Sequence, residues 1–399
     1  MHQGELFAFL LAVTASMMWM ANAINLLMIF LALEMVSVTS YVMVGYLRTE
    51  RLSNEAALKY ILFGAVSTGS MLYGMSLLYG LTGTLDVAGI RNALASGAAS
   101  HAGPALLMVV VLILAGIGFK IAAVPFHFWC PDVYTGAPTP VTAFLSVGPK
   151  VAGFAVLVRL FFGGLAEPSL ARGPGEEAWR MLGPVNWQSV LMGVSLATMT
   201  LGNVAALLQT NLKRLLAYSS IAHAGFILMG TVVLSGEGIQ AMLAYMIIYL
   251  FMNLGAFLVV IIIYDSVGSF ELQDYAGLWR RSPLLTVAMG VFLMSLMGIP
   301  PFVGFLAKYY VFAAVIRAGI GWFAVAGVLN SVIAVFYYMK ILKTMVVEES
   351  ETGETGPLRF HPIYAVLLAV FSVPNIVGLL FWGPLDRLTE YSLKLMDRM

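Results

Sequence analysis

Charged residues and cysteine are both scarce in this sequence. Only 10% of the 399 residues are charged, whereas a soluble domain usually carries about 25%. The single cysteine, Cys130, excludes a disulfide within the chain and an iron–sulfur cluster held by cysteines of this chain alone. The formal net charge is +1, so no basic excess favours nucleic-acid binding.

Apolar residues take the place of the missing charge. They make up 60% of the sequence, and the mean hydropathy is +0.91. One water-soluble globule cannot bury that much apolar surface, so the sequence predicts an all-α polytopic membrane protein. The first apolar run begins near Leu6, with no basic segment before it and no small-residue cleavage site. It therefore predicts a membrane helix rather than a signal peptide.

Long apolar runs predict the number of spans, because one span needs about 20 mostly apolar residues. The sequence contains eleven such runs, at 5–23, 25–47, 55–81, 104–135, 139–163, 185–210, 214–236, 238–264, 283–318, 321–346 and 359–384. The fourth and ninth runs are too long for one straight span. Pro125 lies in the fourth, and the ninth contains "GIPPFVG" at 298–304. Proline interrupts a helix, so both runs are predicted to be broken helices.

The two predicted breaks occupy matching positions. Helices 1–5 and 6–10 form two five-helix sets, with the break in the fourth member of each. A weaker similarity links the third members, "AALKYILF" at 56–63 and "AMLAYMII" at 241–248. Because five is odd, consecutive sets cross the membrane in opposite directions, which predicts an inverted repeat. Paired broken helices in matching halves indicate a transport path.

The predicted organisation has three units: the first repeat (1–165), the second repeat (185–346) and a C-terminal part (347–399) with an acidic loop, a last helix and a tail. Basic loop residues predict orientation, because they favour the inner side of a membrane. Eight lie on the side of the N-terminus, namely Arg48, Arg51, Lys213, Arg214, Arg280, Arg281, Lys343 and Arg359, against four opposite, Arg91, Arg172, Arg180 and Arg317. We therefore expect the N-terminus inside and the C-terminus outside a cell inner membrane.

Several titratable residues fall inside the predicted spans. A charge at the bilayer centre costs about 2.5–3.5 kcal/mol on insertion scales, so each needs a reason. The candidates are Glu34, Lys59, Lys120, Lys150 and Lys308, with His127 beside them. At about 1.5 Å per residue, Glu34 and Lys120 lie roughly 20 and 22 Å from a surface, and Lys59 roughly 6 Å. The matching depths predict that Glu34 and Lys120 are electrostatic partners.

These residue types suit proton transfer. Moving a carboxylate away from a buried lysine would let the lysine release its proton, so Glu34 and Lys120 could form a switch. Lys150 and Lys308, roughly 16 and 14 Å deep, would continue the relay with His127, because lysine and histidine change protonation readily.

A structural interpretation of the same residues is also open. An intramembrane lysine can pair statically or extend to the surface, which applies above all to Lys59. His127 could cap a helix end. His223, in "SSIAHAGF", is predicted to be packed and hydrogen-bonded outside the relay. Lys213 and Arg214 lie at a helix junction, where topology accounts for them.

Four motifs carry a resemblance to a known family. They are "LALEMVSVTSYVMVGY", "GFKIAAVPFHFWCPDVYTGAPTPVTAFLSVGPK", "QTNLKRLLAYSSIAHAGF" and "GIPPFVGFLAKYYVF". In this order they resemble the antiporter-like membrane subunits of respiratory complex I, from about residue 25 to 346. The sequence is most similar to the N-type branch, because Lys308 stands where the M-type typically has glutamate and the short tail is unlike the L-type.

The resemblance implies a role for each candidate. In the family, the glutamate at the position of Glu34 pairs with the lysine at the position of Lys120. A hydrated proton path continues through the positions of Lys150, Lys308 and His127, and Lys59 matches another charged family position. Bacterial members usually have three helices before the first repeat, which this sequence lacks. None of the candidate charges lies in that region.

The resemblance also implies cofactors and partners. NADH, FMN, iron–sulfur clusters and quinone would be bound by other subunits, and none by this chain, which would be a non-redox part of a translocase. Its partners would be an M-type antiporter-like subunit, the small K- and J-type subunits, lipids and protons. An Mrp-type or stand-alone cation/proton antiporter is the alternative. A purely structural scaffold is disfavoured by five intramembrane charges.

Overall fold

Helices form almost all of the structure, a computed structural model that describes residues 3–98, 102–170, 177–349, 357–358, 360–380 and 382–396. The helices are α1 (Gln3–Asn22), α2 (Leu26–Val44), α3 (Arg51–Thr82), α4 (Val87–Ala95), α5 (Gly103–Ile121), α6 (Trp129–Gly136), α7 (Thr139–Gly163), α8 (Trp187–Leu207), α9 (Leu212–Val232), α10 (Gly236–Val267), α11 (Leu278–Arg281), α12 (Pro283–Met297), α13 (Val303–Arg317), α14 (Gly321–Val346), α15 (Pro362–Val377) and α16 (Trp382–Met396). Strands β1 (Ala166–Leu170) and β2 (Glu177–Met181) form an antiparallel hairpin.

The predicted all-α membrane architecture is confirmed. Within the described ranges, nine helices are long and apolar enough to cross a membrane, and the bent pair α15–α16 would make a tenth. The nine are α1, α2, α3, α5, α7, α8, α9, α10 and α14. The predicted ninth run consists of two 15-residue helices, α12 and α13.

Both predicted breaks are present. α5 ends at Ile121, and irregular backbone at 122–128 precedes α6. α12 ends at Met297, and residues 298–302 separate it from α13. The C-caps of α5 and α12, Ala122 and Gly298, have φ values of 58° and 79°, so in both cases the chain leaves the helix through the left-handed region.

The third helices of the two sets match closely. α3 and α10 each contain 32 residues and begin at Arg51 and Gly236, which are 185 positions apart. This is also the offset of the similarity at 56–63 and 241–248. Gly83 and Gly268 end the two helices with φ values of 71° and 75°. Glycine accepts this conformation without a Cβ penalty.

The C-terminal part differs from the prediction of one straight last helix at 359–384. α15 stops at Val377, and the chain turns by 92° into α16. The sequence of α16, "WGPLDRLTEYSLKLM", carries four charges, which explains why it does not continue the span. The loop helix α4 and the hairpin were not predicted. Arg172, Arg359 and positions 350–354 of the predicted acidic loop lie outside the described residues.

α9 occupies the centre of the molecule. Of its apolar window 94% is buried, against 17% for α1. It packs against α8, α10, α6 and α13, so it contacts the short helix after the first break and the helix after the second. This position brings side chains of α9 next to residues from both halves of the chain.

Candidate functional site

Lys120 lies in the last turn of α5, beside the first break. Its Nζ donates a hydrogen bond to Ser37 Oγ on α2 at 2.9 Å. Its stem packs on α7, where a Cβ at Gly153 would come within 3.2 Å of Lys120 Cγ. The side chain is 1% exposed, so it is enclosed by protein where the backbone of the span is interrupted.

Glu34 lies one helical turn before Ser37 on α2, and therefore on the same face. Its carboxylate interacts electrostatically with Lys120 and with Tyr41. The ion pairs between described residues do not include Glu34 with Lys120, and Ser37 accepts from the ammonium instead. Glu34 Oε1 is buried without a protein hydrogen-bond partner. Ser37 itself donates to the backbone oxygen of Leu33 at 2.8 Å, so no hydrogen bond links the carboxylate to the ammonium through the serine. The role of the two charges as a switch stays a prediction.

Lys150 joins the two halves of the chain. It follows Pro149 within α7 and is 4% exposed. Its Nζ donates to the backbone oxygen of Ser220 at 3.0 Å and to the Ser220 hydroxyl. The ammonium also lies 5.9 Å from the ring centroid of Tyr134. A lysine of the first half is therefore bonded to α9 of the second.

Lys308 forms a hydrogen bond across the second break, from α13 to the end of α12. It lies in the second turn of α13, is 5% exposed, and donates to the backbone oxygen of Met297 at 2.7 Å. Its stem passes Gly298, where a Cβ would come within 2.8 Å of Lys308 Cδ. The ammonium lies 4.9 Å from the ring centroid of Phe226 on α9.

His223 lies on α9 between Lys150 and Lys308. This position was not predicted from the sequence. It interacts electrostatically with both Lys150 and Lys308. The expected hydrogen bonds are present, between Nδ1 and Tyr245 Oη at 2.8 Å and between Nε2 and Tyr338 Oη at 3.2 Å. The sequence did contain a sign of this position. Ser220, His223 and Phe226 are spaced three residues apart, so they lie on one face of the helix.

His127 lies in the first break and is buried. Its backbone oxygen accepts from Cys130 N at 2.9 Å at the start of α6, whereas its Nδ1 has no protein hydrogen-bond partner. The side chain therefore does not cap α6. It is not bonded to any of the buried lysines, and its part in a relay stays a prediction.

Lys59 belongs to a separate ion-pair network. Its Nζ lies 2.7 Å from Asp132 and 2.9 Å from Glu55, and the other oxygen of Asp132 is 2.6 Å from Arg214 Nη1. The Lys59 side chain is 38% exposed. This geometry agrees with the static-pair interpretation. Asp132 was not singled out from the sequence, since its partners lie on α3 and α9, far from it along the chain.

The N-terminal end of α9 holds α6 in place. Lys213 is buried and donates to the backbone oxygens of Thr135 and Ala137 at 3.1 and 2.7 Å, at the C-terminal end of α6. Arg214 binds Asp132 in the first turn of the same helix. Topology alone therefore does not account for these two basic residues.

The comparisons with known proteins identify the family. Residues 23–171 and 179–334 match the NADH:quinone oxidoreductase/Mrp antiporter transmembrane family, and the chain belongs to it. A NADH-quinone oxidoreductase subunit N of Anaeromyxobacter sp. is 47% identical over 405 residues, covering 98% of this chain and 78% of the relative. A subunit N 2 of Sorangium cellulosum is 44% identical over 399 residues, covering 98% and 77%.

Solved structures show the same architecture. A chain of respiratory complex I from Thermus thermophilus is 33% identical, with a TM-score of 0.78, and the match covers 96% of this chain and 79% of the other. A chain of the Mrp complex from Dietzia sp. is 22% identical with a TM-score of 0.82, covering 96% and 76%. The second likeness is one of fold alone.

Proposed function

We propose that this chain is the proton-translocating membrane subunit of an NADH:quinone oxidoreductase. The observation that carries the proposal is the line of buried lysines, Lys120, Lys150 and Lys308, in a chain 47% identical to a subunit N. Electron transfer, with NADH, FMN, iron–sulfur clusters and quinone, takes place in other subunits. The chain sits in the inner membrane with its N-terminus inside, beside an M-type subunit and the small K- and J-type subunits.

The geometry suggests how protons pass along the line. Lys120 packs on α7 at Gly153, one turn from Lys150 on the same helix. Lys150 bonds to Ser220, and His223 stands one turn further along α9, facing both Lys150 and Lys308. Two ammonium groups repel a third cation, so His223 accepts a proton only when a neighbouring lysine is neutral. Protons would therefore move one at a time, from lysine to histidine to lysine.

The starting point of each cycle is Lys120. Its ammonium is held by the neutral Ser37 hydroxyl, with the Glu34 carboxylate one turn away. A displacement of Glu34 transmitted by a neighbouring subunit would weaken the field that keeps Lys120 charged. Lys120 would then release its proton towards Lys150. The chain needs no redox centre of its own for this step.

The proposal is tested by Lys120→Ala in the assembled complex. We expect NADH-driven proton pumping in reconstituted vesicles to be lost, while the complex still assembles, because the first proton carrier is missing. Lys343→Ala is the matched control, since Lys343 is an exposed lysine that pairs with Glu348. Pumping at the wild-type level in Lys120→Ala would show that the assignment is wrong.

A further inference from the structure

A network of buried polar side chains, separate from the three buried lysines, is hydrogen-bonded to His223. Tyr338 Oη is hydrogen-bonded to His223 Nε2 at 3.2 Å and to the Ser219 hydroxyl. The ring of the adjacent Tyr337 is tilted by 52° against that of Tyr338, with centroids 4.4 Å apart, and their hydroxyls interact. Tyr337 Oη in turn donates to Asn203 Oδ1 at 3.1 Å. The relay proposed above does not use these groups.

Two asparagines extend this hydrogen-bonded network between α8 and α14. Asn203 Nδ2 donates to the backbone oxygen of Asn330 at 3.0 Å and to its Oδ1 at 3.3 Å. Asn330 Nδ2 donates to Thr200 Oγ1 at 3.2 Å. The hydroxyl of Ser331, next to Asn330, is buried without a protein partner. Buried polar atoms without a protein partner are commonly bonded to ordered water.

This hydrogen-bonded network extends towards the side of the membrane where α8 ends. Lys340, one turn beyond Tyr337, is exposed and donates to the backbone oxygen of Gln209 at 3.3 Å, in the loop between α8 and α9. Asn203 lies six residues before Gln209, which is roughly 9 Å of helix. The polar groups therefore extend from one or two turns below the surface to the centre of the molecule.

The chemistry of these groups suits water and protons. Amides and hydroxyls both donate and accept hydrogen bonds, so they can hold a file of water molecules. Polar residues also join membrane helices by hydrogen bonds alone. This set ends on a histidine that lies between two lysines, so it connects the polar groups of α8 and α14 with the proposed relay.

We propose that Asn203, Asn330, Tyr337 and Tyr338 line a water-binding branch through which protons reach His223 from the side where α8 ends. In the last step, Tyr338 passes its hydroxyl proton to His223 Nε2 and receives another from a water molecule of the branch, which regains its proton from the next water towards the surface. The phenol is thereby restored, and one proton is added to the histidine. This inference rests on the proposed function, because it supplies protons to the same relay.

Cysteine labelling tests whether the branch holds water. Cys130, the only cysteine of the chain, is fully buried, so the unaltered chain supplies the background. Asn203→Cys in the intact complex, in inside-out vesicles, is treated with a membrane-impermeant methanethiosulfonate and scored on this chain. Ala217→Cys is the matched control: Ala217 is equally buried and lies five residues, roughly 7.5 Å, from the start of α9 on the same side of the membrane, but it is two positions from Ser219 and therefore on another face of the helix.

We expect Asn203→Cys to react several-fold faster than Ala217→Cys, although both are fully buried at a similar depth. Equal or slower labelling at residue 203 would overturn the inference and leave the proposal for Lys120 untouched, since labelling does not depend on pumping. Conversely, wild-type pumping in Lys120→Ala would remove the relay without changing the labelling.

Tyr337→Phe tests whether the branch carries protons. The substitution keeps the ring packed against Tyr338 and removes only the hydroxyl that donates to Asn203. We expect proton pumping to fall several-fold in assembled complex. Tyr264→Phe is the control, because Tyr264 stacks on Phe270 away from the branch. Equal pumping in the two variants would overturn the proton-carrying role.

Discussion

At the scale of single residues, the three buried lysines share one feature. Each ammonium is bonded to a neutral oxygen, on Ser37, Ser220 or Met297. A direct carboxylate partner would hold the proton firmly, whereas a neutral acceptor stabilises the ammonium less. The arrangement therefore suits lysines that must release protons. Lys59 differs, because two carboxylates contact it.

Ser37→Ala tests this feature at Lys120. It removes the hydroxyl that accepts from Nζ, and a hydrogen bond to a charged group contributes about 1.5–3 kcal/mol. We expect the pumping rate to fall and its pH optimum to shift, measured in reconstituted vesicles. Ser40→Ala is the control, since Ser40 is equally buried on α2 but bonds to the Val36 backbone oxygen. Identical profiles for the two variants would contradict the role of Ser37.

Lys59→Ala should have a milder effect on pumping than Lys120→Ala. Lys59 lies in a partly exposed network, where ion pairs contribute little, about 1 kcal/mol or less. Its loss leaves Asp132 paired with Arg214. The two variants are compared in the same vesicles. A loss equal to that of Lys120→Ala would place Lys59 within the proton path.

At the scale of elements, each break places an ammonium at the C-terminal end of the preceding half-helix. Lys120 lies in the last turn of α5 itself. Lys308 belongs to α13 but reaches back to the backbone oxygen of Met297, the last residue of α12. The C-terminal end of a helix carries partial negative charge, which stabilises a cation. Both repeats thus achieve the same electrostatic result from opposite sides of the break.

Gly298→Ala tests the second break. An added Cβ would come within 2.8 Å of Lys308 Cδ and displace the lysine from Met297. A left-handed alanine also costs about 1–2 kcal/mol. Gly268→Ala separates the two effects, since Gly268 has a φ of 75° and nothing within 4 Å of an added Cβ.

We expect both glycine variants to lower the melting temperature of the complex through backbone strain, and Gly298→Ala to lower it further because its Cβ also meets Lys308. Only Gly298→Ala should lower proton pumping, because only it moves Lys308. A similar loss of pumping in both variants would mean that backbone strain, rather than the position of Lys308, is responsible.

At the scale of the whole molecule, α9 connects the two halves. It accepts a hydrogen bond from Lys150, holds α6 through Lys213 and Arg214, and faces Lys308 with Phe226. Glu34 and Ser219 are 185 positions apart, the offset at which α3 and α10 begin. At that matching place the second half has a hydroxyl bonded to Tyr338 instead of a carboxylate. The two halves therefore share a fold and differ in charge.

His223→Gln tests this connection. Glutamine can replace the hydrogen bonds to Tyr245 and Tyr338 but does not take up a proton, so assembly should persist and pumping should be lost. His361→Gln is the control, because His361 is exposed and caps α15. Pumping is measured in vesicles and assembly by the yield of intact complex. Wild-type pumping in His223→Gln would show that protons bypass α9.

The sequence by itself determined the spans, the two breaks and the presence of lysines beside them. Hydropathy and proline act locally along the chain, so these features can be predicted without knowing how helices pack. The bend between α15 and α16 was missed because apolar residues continue past Val377.

Only the tertiary structure decided which groups the lysines contact. Lys120 and Ser37 are 83 positions apart, and Lys150 and Ser220 are 70 apart. The central helices are apolar on almost every side, so no periodic pattern shows which face meets which neighbour. The face that α9 presents to each neighbouring helix, and therefore the position of His223, depends on packing between helices that are far apart in the sequence.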